Sequence, residues 1–259
     1  MHIQDTPVID FHGHVGGWGS YATSDDPDGY LRMMDAAGVD KACVNCIFHG
    51  DARRSNEVTS AYVGRHPDRF IGVAFVTPGY PDEAIPTLEH AFDVLGMRSL
   101  KVYPPFFGGA IDDLAYMPIF EWCDDRALVV MSHSSNTGPD DFAGTLTHPS
   151  RFMPLARKFP RVRWVLAHSG NARQGNAEAV EAARAYPNVF LETCSTYTAA
   201  GTIEYLVEGA GEDRVIFGVD MPLLDPRSQL GKIVTADISD TAKKKVLGLN
   251  AIRLLGLEE

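Results

Sequence analysis

Val8-Ile9-Asp10-Phe11-His12-Gly13-His14 is a short apolar run that passes straight into two histidines spaced i, i+2. Side chains two apart on an extended strand share a face, so Asp10, His12 and His14 are expected to point the same way. A strand that ends in paired imidazoles predicts chemistry at its end and packing along its body. With nine histidines in 259 residues, one such pair is weak evidence by itself. The rest of the chain decides whether it has company.

Working outward, comparable β-rich runs occupy residues 8–11, 41–48, 70–76, 99–103, 128–132, 162–167, 189–192 and 215–219. Their starts fall 26 to 34 residues apart, about the size of a βα unit. Helical signals lie between them. Residues 28–37 end at Gly38, and Pro81-Asp82-Glu83 opens a stretch that reaches residue 95 before Gly96. Residues 149–159, 177–186 and 202–209 read as further helices, and 240–255 as one or two closing ones. The runs are nearly continuous in Val, Ile, Leu and Phe, as parallel strands buried on both faces require. Eight strands alternating with helices predict an α/β fold, a (β/α)8 TIM barrel, with residues 1–259 as a single domain. The competing doubly wound sheet loses ground because no Gly-rich phosphate fingerprint follows the first strand.

Composition narrows the class. Hydrophobic residues make up 45% of the chain, enough for a large core. The formal charge of −11 and the absence of a basic run longer than Lys243-Lys244-Lys245 argue against a nucleic-acid partner. No apolar stretch is long enough to span a bilayer and no secretory leader is evident, so the expected location is the cytoplasm. A homo-oligomer is compatible with this composition. Cys43, Cys46, Cys123 and Cys194 are too scattered for a disulfide scaffold. The Cys43-Val44-Asn45-Cys46 spacing lies inside an apolar run, which favours two small core residues over a redox pair.

Other polar residues fall where His12 and His14 fall, at the ends of runs. His133 ends the fifth, His168 the sixth and Asp220 the eighth, while Lys101 lies near the end of the fourth. In a (β/α)8 barrel those ends converge on one face, where active sites are built. Imidazole and carboxylate are the donors that Zn2+ and similar cations take. A core histidine with satisfied hydrogen bonds explains any one of these residues but not the set. Among loop residues, Trp18, Tyr21, His49, Arg53, Tyr103 and Phe106 are candidates to line the pocket.

Seven segments, 8–14, 66–70, 99–105, 131–134, 165–171, 217–222 and 250–257, carry a family resemblance. They read VIDFHGH, HPDRF, SLKVYPP, MSHS, VLAHSGN, FGVDMP and NAIRLLGL. In content and order they resemble the amidohydrolase superfamily, and within it the amidohydrolase-related branch that includes aminocarboxymuconate-semialdehyde decarboxylase. The resemblance implies that His12, His14, His133 and Asp220 bind one divalent metal ion, zinc first among candidates. It further implies that His168 assists proton transfer. Lys101 corresponds to the strand-four lysine that two-metal members carboxylate. In this one-metal branch it is expected to stay an amine and meet an anionic small-molecule substrate.

Two reactions suit such a site. The first expectation is hydrolysis of a small amide, lactone or ester by a metal-activated water, with Asp220 and His168 moving protons. The alternative is non-oxidative decarboxylation of a small aromatic or unsaturated carboxylic acid. A pocket arginine placed for a carboxylate would separate them, with Arg53, Arg54 and Arg173 the candidates.

Overall fold

A computed structural model describes residues 6–17, 26–197 and 199–257. Eight parallel strands follow one another around a single sheet in chain order. They are β1 (Ile9–His14), β2 (Lys41–Asn45), β3 (Phe70–Phe75), β4 (Ser99–Val102), β5 (Val129–Ser135), β6 (Arg163–Gly170), β7 (Val189–Glu192) and β8 (Val215–Ile216). The connections carry α1 (Pro27–Ala37), α2 (Ala52–Arg65), α3 (Pro81–Glu89), α4 (Pro104–Phe107), α5 (Met117–Asp125) and α6 (Phe142–Thr147). The second half carries α7 (Phe152–Lys158), α8 (Arg173–Ala185), α9 (Thr202–Ala210), α10 (Pro226–Val234), α11 (Asp240–Lys244) and α12 (Asn250–Leu255). This is the expected (β/α)8 barrel. The Gly38 stop is also where expected, in the left-handed conformation with φ 75°, its N–H bonded to the carbonyls of Met34 and Asp35.

The core has two plies, set by the two-residue period of the strands. Ile9, Phe11, Ile71, Val73, Val129, Met131, Val165, Ala167, Phe190 and Ile216 fill the lower barrel. Ala251, Leu254 and Leu255 of α12 close it from beneath. Their strand neighbours, such as Val8, Val44, Ala74, Val130, Trp164 and Leu191, face outward and pack with the helices. Cys43 belongs to the inner ply and Cys46 to the outer one, both buried and free, as their sequence context predicts.

Two irregularities aim the upper barrel. The β1–β2 register shifts between Asp10 and Gly13, and the β5–β6 register between His133 and Ser135. The first switches the inward positions from Ile9 and Phe11 to His12 and His14, so apolar packing and paired imidazoles share one strand. Asp10 therefore does not join the imidazoles at the mouth, contrary to the expectation of a shared face.

The expected eighth strand, 215–219, is shorter in the structure, ending at Ile216. Beyond it the seam to β1 is irregular. Phe11 N bonds Phe217 O (3.0 Å), Asp220 N bonds His12 O (2.6 Å) and His14 N bonds Met221 O (2.6 Å). Asp10 Oδ1 ties the same seam, accepting from His12 N (2.9 Å) and Val219 N (2.8 Å). Among the described residues, no helix is long and apolar enough to cross a membrane.

Candidate metal centre

The upper ply of the barrel interior is polar. His12, Lys101 and Glu192 are almost wholly inaccessible, and His14 and His168 are buried. Asp220, placed by a loop where φ is 68°, turns its carboxylate towards them. Its Oδ1 lies 3.1 Å from His14 Nε2 and 3.6 Å from His12 Nε2. One donor atom from each of these three residues falls within 4.8 Å of the others.

Both imidazoles are held with Nε2 forward. His12 Nδ1 meets Glu192 Oε2 at 3.1 Å, and His14 Nδ1 meets Asn45 Oδ1 at 3.1 Å. Donating Nδ1–H to an oxygen leaves the Nε2 lone pair bare. The Lys101 ammonium approaches His12 Nε2 at 2.8 Å, which is consistent with that tautomer. Glu192 is fixed in turn by the backbone N–H groups of His168 (3.0 Å) and Cys194. Gly218 makes room for it, since a Cβ at 218 would collide with Glu192 Oε1.

The protonation states are those of a ligand set. Burial, followed by the charge of Lys101, holds His12 well below the usual imidazole range. Burial and the neighbouring His168 do the same for His133. Burial opposes ionisation of Asp220, yet the surrounding His12, His14 and His168 outweigh it and keep the carboxyl far below its ordinary value. An ionised carboxylate beside the weakly basic imidazoles of His12 and His133 suits a divalent cation, which displaces protons from its ligands. The buried Asp220 Oδ1 accepts no well-formed hydrogen bond, an expensive state that a cation would relieve. The donors present therefore fit a metal.

Three of the four expected ligands thus converge tightly. His133, half-buried, stands farther out, its ring 4.7 Å from that of His168 and 5.6 Å from that of Tyr103. His168 Nδ1 lies 2.9 Å from Cys194 Sγ and 3.3 Å from Cys194 O. Burial, then the proximity of His12, pulls its pKa down to about 4. Lys101 sits inside the cluster, with its pKa pushed down by burial to about 8. Phe48 packs on His14 and Phe106 on Tyr103, while His49 lines a cleft beside Phe48. Arg53, Arg54 and Arg173 are exposed, and Arg53 pairs with Glu57. Trp18 and Tyr21 lie outside the described residues. Sequence reasoning did not assign Glu192, Cys194 or Asn45 to this site. The available signal was a polar residue at or just past the end of β7 and β2.

The family model described as amidohydrolase matches residues 9–257. The chain belongs to the amidohydrolase family. Within that family's reach it is 24% identical over 247 residues to 2-amino-3-carboxymuconate-6-semialdehyde decarboxylase of Dictyostelium discoideum. That match covers 80% of this chain and 67% of the relative. It is 26% identical over 253 residues to gamma-resorcylate decarboxylase of Rhodococcus jostii strain RHA1, covering 80% and 77%. The solved structure of 5-carboxyvanillate decarboxylase from Sphingomonas paucimobilis superposes with a TM-score of 0.80 at 20% identity. It covers 98% of this chain and 100% of that one. These findings overturn the expectation of a hydrolase, because both curated relatives of this amidohydrolase-family chain are named as decarboxylases. Imidazole and carboxylate ligands serve either reaction, so the donor set alone had not discriminated.

Proposed function

We propose that the protein is a metal-dependent, non-oxidative decarboxylase of a small aromatic or unsaturated carboxylic acid. The observation that carries the metal-dependent part of this reading is the convergence of His12 Nε2, His14 Nε2 and Asp220 Oδ1 beside the Lys101 ammonium. The relatives' names favour loss of a carboxyl group over hydrolysis at such a centre.

His12, His14, His133 and Asp220 would hold one divalent cation, zinc first, which when bound supplies Lewis-acid attraction for the substrate's oxygens. Lys101 adds positive charge at the same place, suited to an anionic substrate. Heterolysis of the bond to the carboxyl carbon releases CO2 and leaves the electron pair on the substrate carbon. One proton must then reach that carbon. His168 is the residue to move it. Its Nδ1 is engaged by Cys194, and its Nε2 has no partner among the described residues. The imidazole is neutral at rest, while Asp220 and Glu192 favour its charged form and an anionic substrate adds to them.

The test is product analysis with metal-loaded protein on a panel of aromatic carboxylic acids, lactones and amides. One CO2 per molecule of decarboxylated product is expected, with loss after chelation and recovery on adding metal. Cleavage of a lactone or amide with no CO2 release would overturn the reading.

A further inference from the structure

A second cavity, of about 250 Å3, opens beside His168. The ends of β6 and β7, the start of α9 and the body of α10 wall it. Its cation is Lys232, on α10. Lys232 Nζ donates to the carbonyls of Thr193 (3.1 Å) and Ser195 (3.4 Å). No carboxylate pairs with it among the described residues. An ammonium has three donors, so one is left over. Burial draws the Lys232 pKa below its ordinary value, a cost that an anion alongside would offset.

Several other wall groups are hydrogen-bond donors. Thr193 is only 5% exposed, and its hydroxyl enters no hydrogen bond among the described residues. Helix α9 is preceded by Gly201, whose position offers no side-chain cap. Thr202 N bonds Ala199 O (3.4 Å), while the N–H groups of Ile203 and Glu204, both on the cavity wall, have no acceptor among the described residues. Asn171 Oδ1 accepts from Ser195 Oγ (2.6 Å), which leaves the amide donors of Asn171 over. Glu204 also lines the cavity and is the one wall group of opposite sign; Asp237 N–H binds its Oε1 (2.8 Å) and leaves its charge in place. The place itself, after strands seven and eight, is where (β/α)8 barrels commonly bind anions.

We infer that this cavity is a carboxylate subsite, with Lys232 as counter-ion and Thr193 as a donor. It takes an acidic group of the substrate other than the one lost, an assignment that rests on the function proposed above.

The test is calorimetric binding to zinc-loaded protein, which needs no turnover. The probes are isophthalate, terephthalate and homophthalate, compared with benzoate. At least one dicarboxylate should bind about tenfold tighter than benzoate, the gain of a charge-assisted contact. That advantage should vanish in Lys232→Gln, shrink in Thr193→Val and return in Lys232→Arg, with benzoate affinity constant throughout. Equal weakening of benzoate and dicarboxylate in Lys232→Gln would reduce the lysine to a brace for the β7 loop and overturn the proposal. So would an advantage that survives Lys232→Gln, or no dicarboxylate outbinding benzoate. Inorganic phosphate that binds through Lys232 without displacing the dicarboxylate would make this a free-anion site and also overturn it. If the binding pattern holds while no acid yields CO2, the subsite stands and the decarboxylase reading falls.

Discussion

His12 is gripped at both ring nitrogens, and each grip has a separate consequence. Glu192 fixes the Nδ1 side and so dictates which nitrogen offers a lone pair. Glu192→Gln should therefore lower zinc affinity by about 10–100-fold in equilibrium dialysis against a competing chelator. Unchanged affinity would show that Glu192 only braces backbone. His168 acts on the proton instead. His168→Asn should keep metal content and lower turnover by about 100-fold or more. Metal loss in that variant would reassign His168 as a ligand. Lys101 was expected from sequence to face substrate, and its 2.8 Å approach to His12 Nε2 places it among the ligand candidates themselves.

At the scale of elements, the decisive feature is the irregular seam between β1 and the segment after β8. Asp10 Oδ1 holds the N–H of His12 and of Val219, one of them on a ligand candidate and the other just before one. Burial raises the Asp10 carboxyl well above its ordinary pKa, so a neutral amide mimics it. Asp10→Ala leaves two buried N–H groups unsatisfied and should cost about 2–4 kcal/mol in urea unfolding. Asp10→Asn keeps the acceptor and should cost well under half of that. Equal losses in the two variants would mean that cavity formation, not the seam bonds, sets the cost. The shift that brings His12 and His14 inward is not visible in VIDFHGH, because a bulge is fixed by the partner strand.

For the whole molecule, the buried imidazoles link stability to pH. The His168 pKa falls from 6.5 to about 4, and His12 and His133 are lowered too. Between those values the unfolded chain binds protons that the folded one refuses, so this contribution is complete above pH 6.5 and is lost as pH falls towards 4. The raised carboxyls of Asp10 and Glu192 act with the opposite sign, so the variant difference isolates the histidine. In metal-free protein, the urea midpoint should drop less steeply across this window for His168→Asn than for the wild type. Parallel curves would show that His168 takes up its proton in the folded state.

The sequence by itself determined the eight strand runs, their order around the barrel, and the polar residues that end them. Strand periodicity and chain spacing are local properties, and a parallel barrel turns them directly into one convergent face. Helices Ala52–Arg65, Met117–Asp125 and Pro226–Val234 escaped that reading and were found only in the structure. Tertiary structure alone decided the contacts that make donors into a site. Glu192 reaches His12 across 180 residues, and Asp10 reaches Val219 across 209. Only the closed barrel brings β1 against the end of β8, and only there does the Asp220 carboxylate meet the imidazoles of His12 and His14. The same closure sets Lys232 of α10 against the carbonyls after β7, a meeting that no local pattern encodes.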